Sequence, residues 1–205
     1  MVIAVGDARQ AAGWLLPILC AADLIAIYYW RRHAAAGRLF SLAPGVLVGL
    51  VAGAFALSQP ERLLRPLVGG IVLAMLIVYL IRRFRANTIP SAHPLPYGIA
   101  AGFSTTVANA AGPVMNLYLL SKNLPKEEFV ATGAWFFFII NLFKVPVYLY
   151  HGLFSRTSLW FDVCLVPSVL AGAFAGRWLM DRIPMRIFEW AVIVLTAAST
   201  VLLFR

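Results

Sequence analysis

Seven long apolar blocks, at about residues 11–30, 42–58, 63–81, 96–121, 130–150, 158–180 and 187–204, dominate this chain of 205 residues. Each holds roughly twenty residues, the number a helix rising about 1.5 Å per residue needs to cross a hydrocarbon core about 30 Å thick. A small soluble fold leaves much of its surface in water, so blocks this numerous could not all be shielded inside one. Hydrophobic residues make up 62% of the chain and charged ones 12%, with a mean hydropathy of +0.86. Soluble domains run at about half apolar and a quarter charged. A transmembrane barrel would show short alternating segments with polar lumen positions, whereas these blocks are continuous. The expected fold is all-α: a polytopic transmembrane helical bundle of about seven spans, multi-pass in a membrane of the bacterial inner-membrane type.

The net charge of +9 does not mark a nucleic-acid binder, because the basic residues form no face or stripe. Arg31-Arg32, Arg82-Arg83-Phe84-Arg85 and Arg182 with Arg186 sit at the ends of blocks, where cations meet headgroups and set topology. Trp30, Trp160, Trp178 and Trp190 also fall near block ends, as interfacial rings do. Cys20 and Cys164 lie within apolar blocks, so no disulfide is expected. No metal-ligand spacing occurs, and no cofactor is expected. The start does not read as a cleavable signal, since Asp7 and Arg9 precede a full-length span. With the Arg31–Arg38 and Arg82–Arg85 loops in the cytoplasm, seven spans place the N terminus outside and the C terminus inside. That scheme leaves eight basic residues on each side, so charge counting does not discriminate.

The longest link, from Arg82 to Pro96, divides the chain into residues 1–85 and 86–205, and the two parts echo each other. Pro44 to Gly53 matches Pro167 to Gly176 at six of ten positions. Pro60-Glu61-Arg62 corresponds to Pro184-Met185-Arg186, and Asp23-Leu24 falls where Asn141-Leu142 does. Two related helical repeats are expected, a common plan in transporters, with substrate handled where repeats meet. The counterpart of the 96–121 block would lie before Met1, so the first repeat reads as one helix short. A start assigned too late is the favoured explanation. The rows Gly45, Gly49, Gly53 and Gly172, Gly176 have the spacing of close helix packing.

The segment from Gly102 to Pro113 contains Ser104, Thr105, Thr106, Asn109, Gly112 and Pro113 inside an apolar block. Proline removes a backbone donor and glycine permits the chain to open. Open backbone at membrane depth survives only inside protein or beside a water-filled cavity, and opened helix ends present N–H groups to an anion. A proline kink or a re-entrant hairpin are the alternatives. Ser104, Thr105, Asn109 and Gly112 are candidate substrate ligands. Lys144 is another, because a charge deep in a span costs at least about 2.5 kcal/mol. Asn141, Lys144 and Tyr148 share one helical face. Asp23, mid-span, is a candidate ion-pair partner or proton carrier. His33, His93 and His151 read as interfacial, and Trp135-Phe136-Phe137-Phe138 as lipid or packing surface.

Catalysis is disfavoured. Asp23 stands without the second deep aspartate of an intramembrane aspartyl protease, no histidine lies at membrane depth for a serine protease, and no phosphate-binding loop for ATP is present. The expected partners are the lipid bilayer, a small anionic substrate and, as an option, a second copy in a homodimer. Nucleic acid is not among them. The competing function is a non-transporting membrane scaffold or assembly component.

Gly102-Phe103-Ser104 through Ala111-Gly112-Pro113 to Tyr118-Leu119-Leu120, together with Thr132-Gly133-Ala134 through Asn141-Leu142-Phe143-Lys144-Val145-Pro146, resembles the sulfite exporter TauE/SafE family of membrane transporters. The helices around Asp23, Pro44-Gly45 and Pro167–Gly176 are similar too. The resemblance implies two related helix bundles, usually of about eight spans, and secondary transport of sulfite, sulfonates or other organic anions. It also implies a glycine-rich segment opening each repeat. The first copy is absent here, and Ala110-Ala111 stand where many members place glycine.

Overall fold

The computed structural model describes residues 8–56, 59–85, 93–150 and 154–204; residues 86–92 of the long link and His151 lie outside them. Among the described residues all regular structure is helical: α1 (Ala8–Trp30), a 3-10 turn (Arg31–His33), α2 (Ala36–Ala56), α3 (Glu61–Arg85), α4 (Pro94–Ala108), α5 (Ala111–Ser121), α6 (Lys126–Tyr150), α7 (Arg156–Arg182) and α8 (Met185–Leu202). Six of these, α1, α2, α3, α6, α7 and α8, are long and apolar enough to cross a membrane. The expected transmembrane helical bundle is what the chain forms. Pro17, Pro44, Pro66, Pro146 and Pro167 lie inside helices, which neighbouring helices in a membrane tolerate.

The fourth block, 96–121, is not a single helix. It breaks into α4, 15 residues, and α5, 11 residues, arms of roughly 22 and 16 Å against a core of about 30 Å. The ring of Tyr118, near the end of α5, meets that of Tyr97, near the start of α4, with centroids 5.7 Å apart. The pair therefore folds back on itself as a hairpin. Its mouth lies where α4 begins and α5 ends, and its tip at Asn109-Ala110.

Contacts divide the chain into two compact units, Met1–Ala34 with Val130–Ile183 and Ala35–Phe129 with Pro184–Arg205. Each unit draws helices from both halves of the sequence. In the second unit, α2 and α4 run parallel at backbone contact. A Cβ on Gly45 would stand 2.6 Å from the Leu95 carbonyl oxygen, one on Gly98 2.7 Å from that of Leu42, and one on Gly53 2.7 Å from Thr106 Cβ. Between them, Gly49 abuts the Ile99 carbonyl and Gly102 that of Val46. In lipid no hydrophobic force drives helices together, so this closeness gains its energy from dispersion. Helices α3 and α8 are antiparallel: Gly69 packs on Phe204, and at the other end Arg83 pairs with Glu189 at 2.6 Å. The Arg83 guanidinium also lies 5.7 Å from the Trp190 ring centroid. Buried Val68 and Val72 of α3 and Val114, Leu117 and Leu119 of α5 fill the core of this unit.

In the first unit α1 and α7 run parallel. Trp14 meets Phe161 at 6.1 Å near their starts, and Tyr29 meets Phe174 at 6.0 Å near their ends. Arg177 lies 4.9 Å over the Tyr29 ring.

The second glycine row behaves differently from the first. Gly172 and Gly176 have nothing within 4 Å of an added Cβ, contrary to the expected packing role, and from Val163 to Arg182 no residue of α7 is buried. Large exposed side chains such as Leu47, Val51 and Phe55 on α2 and Val163, Leu170 and Phe174 on α7 form surface suited to acyl chains. Of the aromatic run 135–138, Phe136 is buried.

Two outcomes test this fold. In a background lacking Cys20 and Cys164, cysteines placed at His93 and Pro125 should be labelled by an impermeant maleimide from the same side of sealed vesicles; labelling from opposite sides would restore a crossing at 96–121. Gly49→Ala should destabilise the protein in detergent by about 1–3 kcal/mol, because backbone must move. Gly172→Ala should be neutral or gain up to about 1 kcal/mol of helix stability, so equal effects at the two positions would refute the packing asymmetry.

Candidate functional site

The hairpin tip is built by a left-handed helix end. Asn109 has φ 50, a conformation that usually falls to glycine at a helix C-terminus and less often to asparagine. Its N–H donates to the Thr105 carbonyl at 3.2 Å, and that of Ala110 to the Ser104 carbonyl at 3.1 Å. The end of α4 is thereby satisfied within the protein, as membrane depth requires. Thr106 Oγ1 donates back to the Gly102 carbonyl at 2.8 Å, which leaves it no free proton to donate elsewhere.

The start of α5 is different. Its N-cap, Ala110, has no side-chain acceptor for the first-turn amides, so the partial positive charge of this helix end is not offset by a cap. Pro113, the third helical residue, has no N–H to satisfy. A Cβ on Gly112 would meet nothing within 4 Å, so the surface beside these amides is open. One turn before the tip, Ser104 is wholly buried and its Oγ has no hydrogen-bond partner. Thr105 is also buried, at 4% exposure, while the Asn109 side chain is exposed. The sequence pointed to Gly112-Pro113 as the place where the helix opens. The break lies three residues earlier, because the left-handed cap at Asn109 ends α4 and Gly112 and Pro113 already belong to the first turn of α5.

The first unit holds the other candidates. Asn141, 6% exposed, donates from Nδ2 to Asp23 Oδ2 at 2.9 Å. Cys20, one turn before Asp23 on α1, is within electrostatic reach of both Asp23 and Lys144. Lys144 follows Asn141 by one turn on the same face. An acid, an amide, a thiol and an amine are thus close together in the first unit, which also buries Asp162 on α7 with neither carboxylate oxygen hydrogen-bonded; ionisable groups at such depth are costly and usually functional.

The expected site residues, read from the sequence as lining one site, fall in two units: Ser104, Thr105, Asn109 and Gly112 on the hairpin of the second, and Asp23, Asn141 and Lys144 in the first. Sequence reasoning missed Thr196 on α8, which is 1% exposed with an unpartnered hydroxyl. The signal was present as hydroxyls at Thr196, Ser199 and Thr200 in an apolar helix. It also passed over the N-cap at His93, whose Nδ1 accepts from the Leu95 N–H at 3.3 Å. A groove of about 460 Å³ lined by Ile71, Leu95, Pro96, Ile99, Ala100 and Phe103 is entirely apolar and offers nothing to orient a polar solute. Among the described residues no cluster of His, Cys, Asp and Glu could hold a metal ion.

No curated protein and no solved structure matches the chain. The model of one family, described as sulfite exporter TauE/SafE, matches residues 1–203. With that match running essentially from end to end over a helical membrane bundle, the chain belongs to the TauE/SafE sulfite exporter family of membrane transporters.

Proposed function

We propose that the protein is a secondary transporter of the bacterial inner membrane that moves a small oxyanion, sulfite or a sulfonate being the best-fitting class. The observation that carries this reading is the uncapped N-terminus of α5, with open space at Gly112 and the buried, unpartnered Ser104 hydroxyl near the end of α4. Backbone N–H groups at a helix start bind tetrahedral and pyramidal oxyanions without needing a full positive charge. A hydroxyl donor adds direction. Thr105 and Asn109 would complete the polar lining of the tip, while Asp23, Asn141 and Lys144 would serve charge balance in their own unit, with Asp23 able to carry a proton.

The two halves of the sequence are proposed as inverted repeats. Counted along the chain with a re-entrant hairpin, α6, α7 and α8 cross in directions opposite to α1, α2 and α3, the arrangement that supports alternating access in secondary carriers. The same count sorts the charges. Arg31, Arg32, Arg38, the Arg82–Arg85 cluster, Lys122, Lys126, Arg177, Arg182 and Arg186 fall on one side, against Arg9, Arg62, Arg65, Arg156 and Arg205 on the other. Positive residues are retained in the cytoplasm, so the hairpin mouth is assigned there. That placement concentrates anions on the side from which an exporter loads.

In proteoliposomes loaded with sulfite, Lys144→Met should cut efflux at least about tenfold, the equivalent of one charge-assisted contact of about 1.5 kcal/mol or more; undiminished flux would remove Lys144 from the mechanism. Gly112→Leu fills open space without a clash, so the protein should insert and fold normally while efflux falls by a similar factor. Normal efflux in that variant would argue against an anion site at the tip, and the absence of any saturable flux in the unaltered protein would favour a scaffold.

A further inference from the structure

Three helix ends meet at the mouth of the hairpin: the first turn of α2, the start of α4 and the end of α5. We propose that Arg38, on the first, and Lys122, on the last, form a two-cation site that holds a phosphate-type oxyanion there. Backbone packing brings both residues to this place. Arg38 lies one turn before Leu42, whose carbonyl abuts Gly98 of α4. Lys122 caps α5 one turn beyond Tyr118, whose ring meets Tyr97 of α4.

The local chemistry calls for an anion. Arg38 Nη1 is shut off from solvent and has no hydrogen-bond partner, although a guanidinium N–H out of water is costly to leave unmade. Lys122 Nζ stands 5.0 Å over the Tyr118 ring centroid, which steadies the ammonium. Burial, and then the charge of Arg38, hold Lys122 below the usual lysine range. The carboxylate of Glu189 is already engaged by Arg83. An oxyanion between the guanidinium and the ammonium would supply the missing acceptor and cancel their repulsion, and the planar guanidinium suits two oxygens of a phosphate. That phosphate can belong to the headgroup of an anionic phospholipid or to free inorganic phosphate. Neither cation belongs to the residues proposed for transport, so this site stands or falls apart from that function.

The purified protein in phosphatidylcholine nanodiscs, with and without phosphatidylglycerol, tests it by thermal unfolding. Phosphatidylcholine is the reference because its choline brings a third positive charge to the site. Phosphatidylglycerol should raise Tm by about 5 °C. Arg38→Gln and Lys122→Gln should each lose most of that gain, Arg38→Lys should keep much of it, and Arg62→Gln, on a distant helix end, should keep all of it. An equal gain from inorganic phosphate in phosphatidylcholine discs, lost in the same variants, identifies a free oxyanion; a gain from phosphatidylglycerol alone identifies a lipid. Should Arg38→Gln fail to fold, Lys122→Gln carries the comparison. No gain with either probe, or a gain undiminished in the glutamine variants, overturns the site.

Discussion

The fold of the second unit depends on one contact, the backbone-to-backbone packing of α2 on α4. Gly45 and Gly49 on one helix interlock with Gly98 and Gly102 on the other, and no side chain separates them. A helix that does not cross the bilayer has no length match with lipid to hold it in place. Hydrophobicity cannot hold it either, since acyl chains solvate leucine as well as protein does. What remains is dispersion at short range, which falls away within an ångström of separation. Four glycines allow that range. The left-handed turn at Asn109 can then sit inside the membrane because its amides close on α4 carbonyls within the protein.

Direction within each unit is set by its own contacts: Tyr97 against Tyr118 turns α5 back along α4 in the second unit, and Trp14 on Phe161 with Tyr29 on Phe174 makes α1 and α7 parallel in the first. Under a count of seven crossings the basic residues divide evenly, and under the proposed return at 96–121 they do not.

Much of this was legible in the sequence, and the remainder was hidden for physical reasons. Block length and composition report how much apolar surface must meet lipid, so the helical class and the positions of α1, α2, α3, α6, α7 and α8 could be read directly. Hydropathy sums composition and carries no direction, so it cannot tell a 26-residue excursion from a crossing. The decisive residue was Asn109, whose left-handed φ depends on tertiary support, while the more conspicuous Gly112-Pro113 step lies within ordinary helix. Among the site candidates, Asp23 was read as an ion-pair partner or a proton carrier, whereas the hydrogen bond it accepts comes from the neutral amide of Asn141. The burial of Ser104 and the missing acceptor for Arg38 arise from packing against other helices, which no local pattern encodes.

The two glycine rows show how far a motif can be carried. Pro44 to Gly53 and Pro167 to Gly176 share most of their residues, yet the first is covered by α4 and the second meets open space at Gly172 and Gly176. Small-xxx-small spacing confers the capacity for close approach and leaves the partner unspecified. The partner must bring small residues in matching register, as α4 does with Gly98 and Gly102. A side chain of ordinary size opposite Gly49 would hold the axes apart and forfeit the contact that makes the motif worth its cost in helix propensity. The energy therefore belongs to the pair of rows, and a glycine row read from one helix alone is half of an interface.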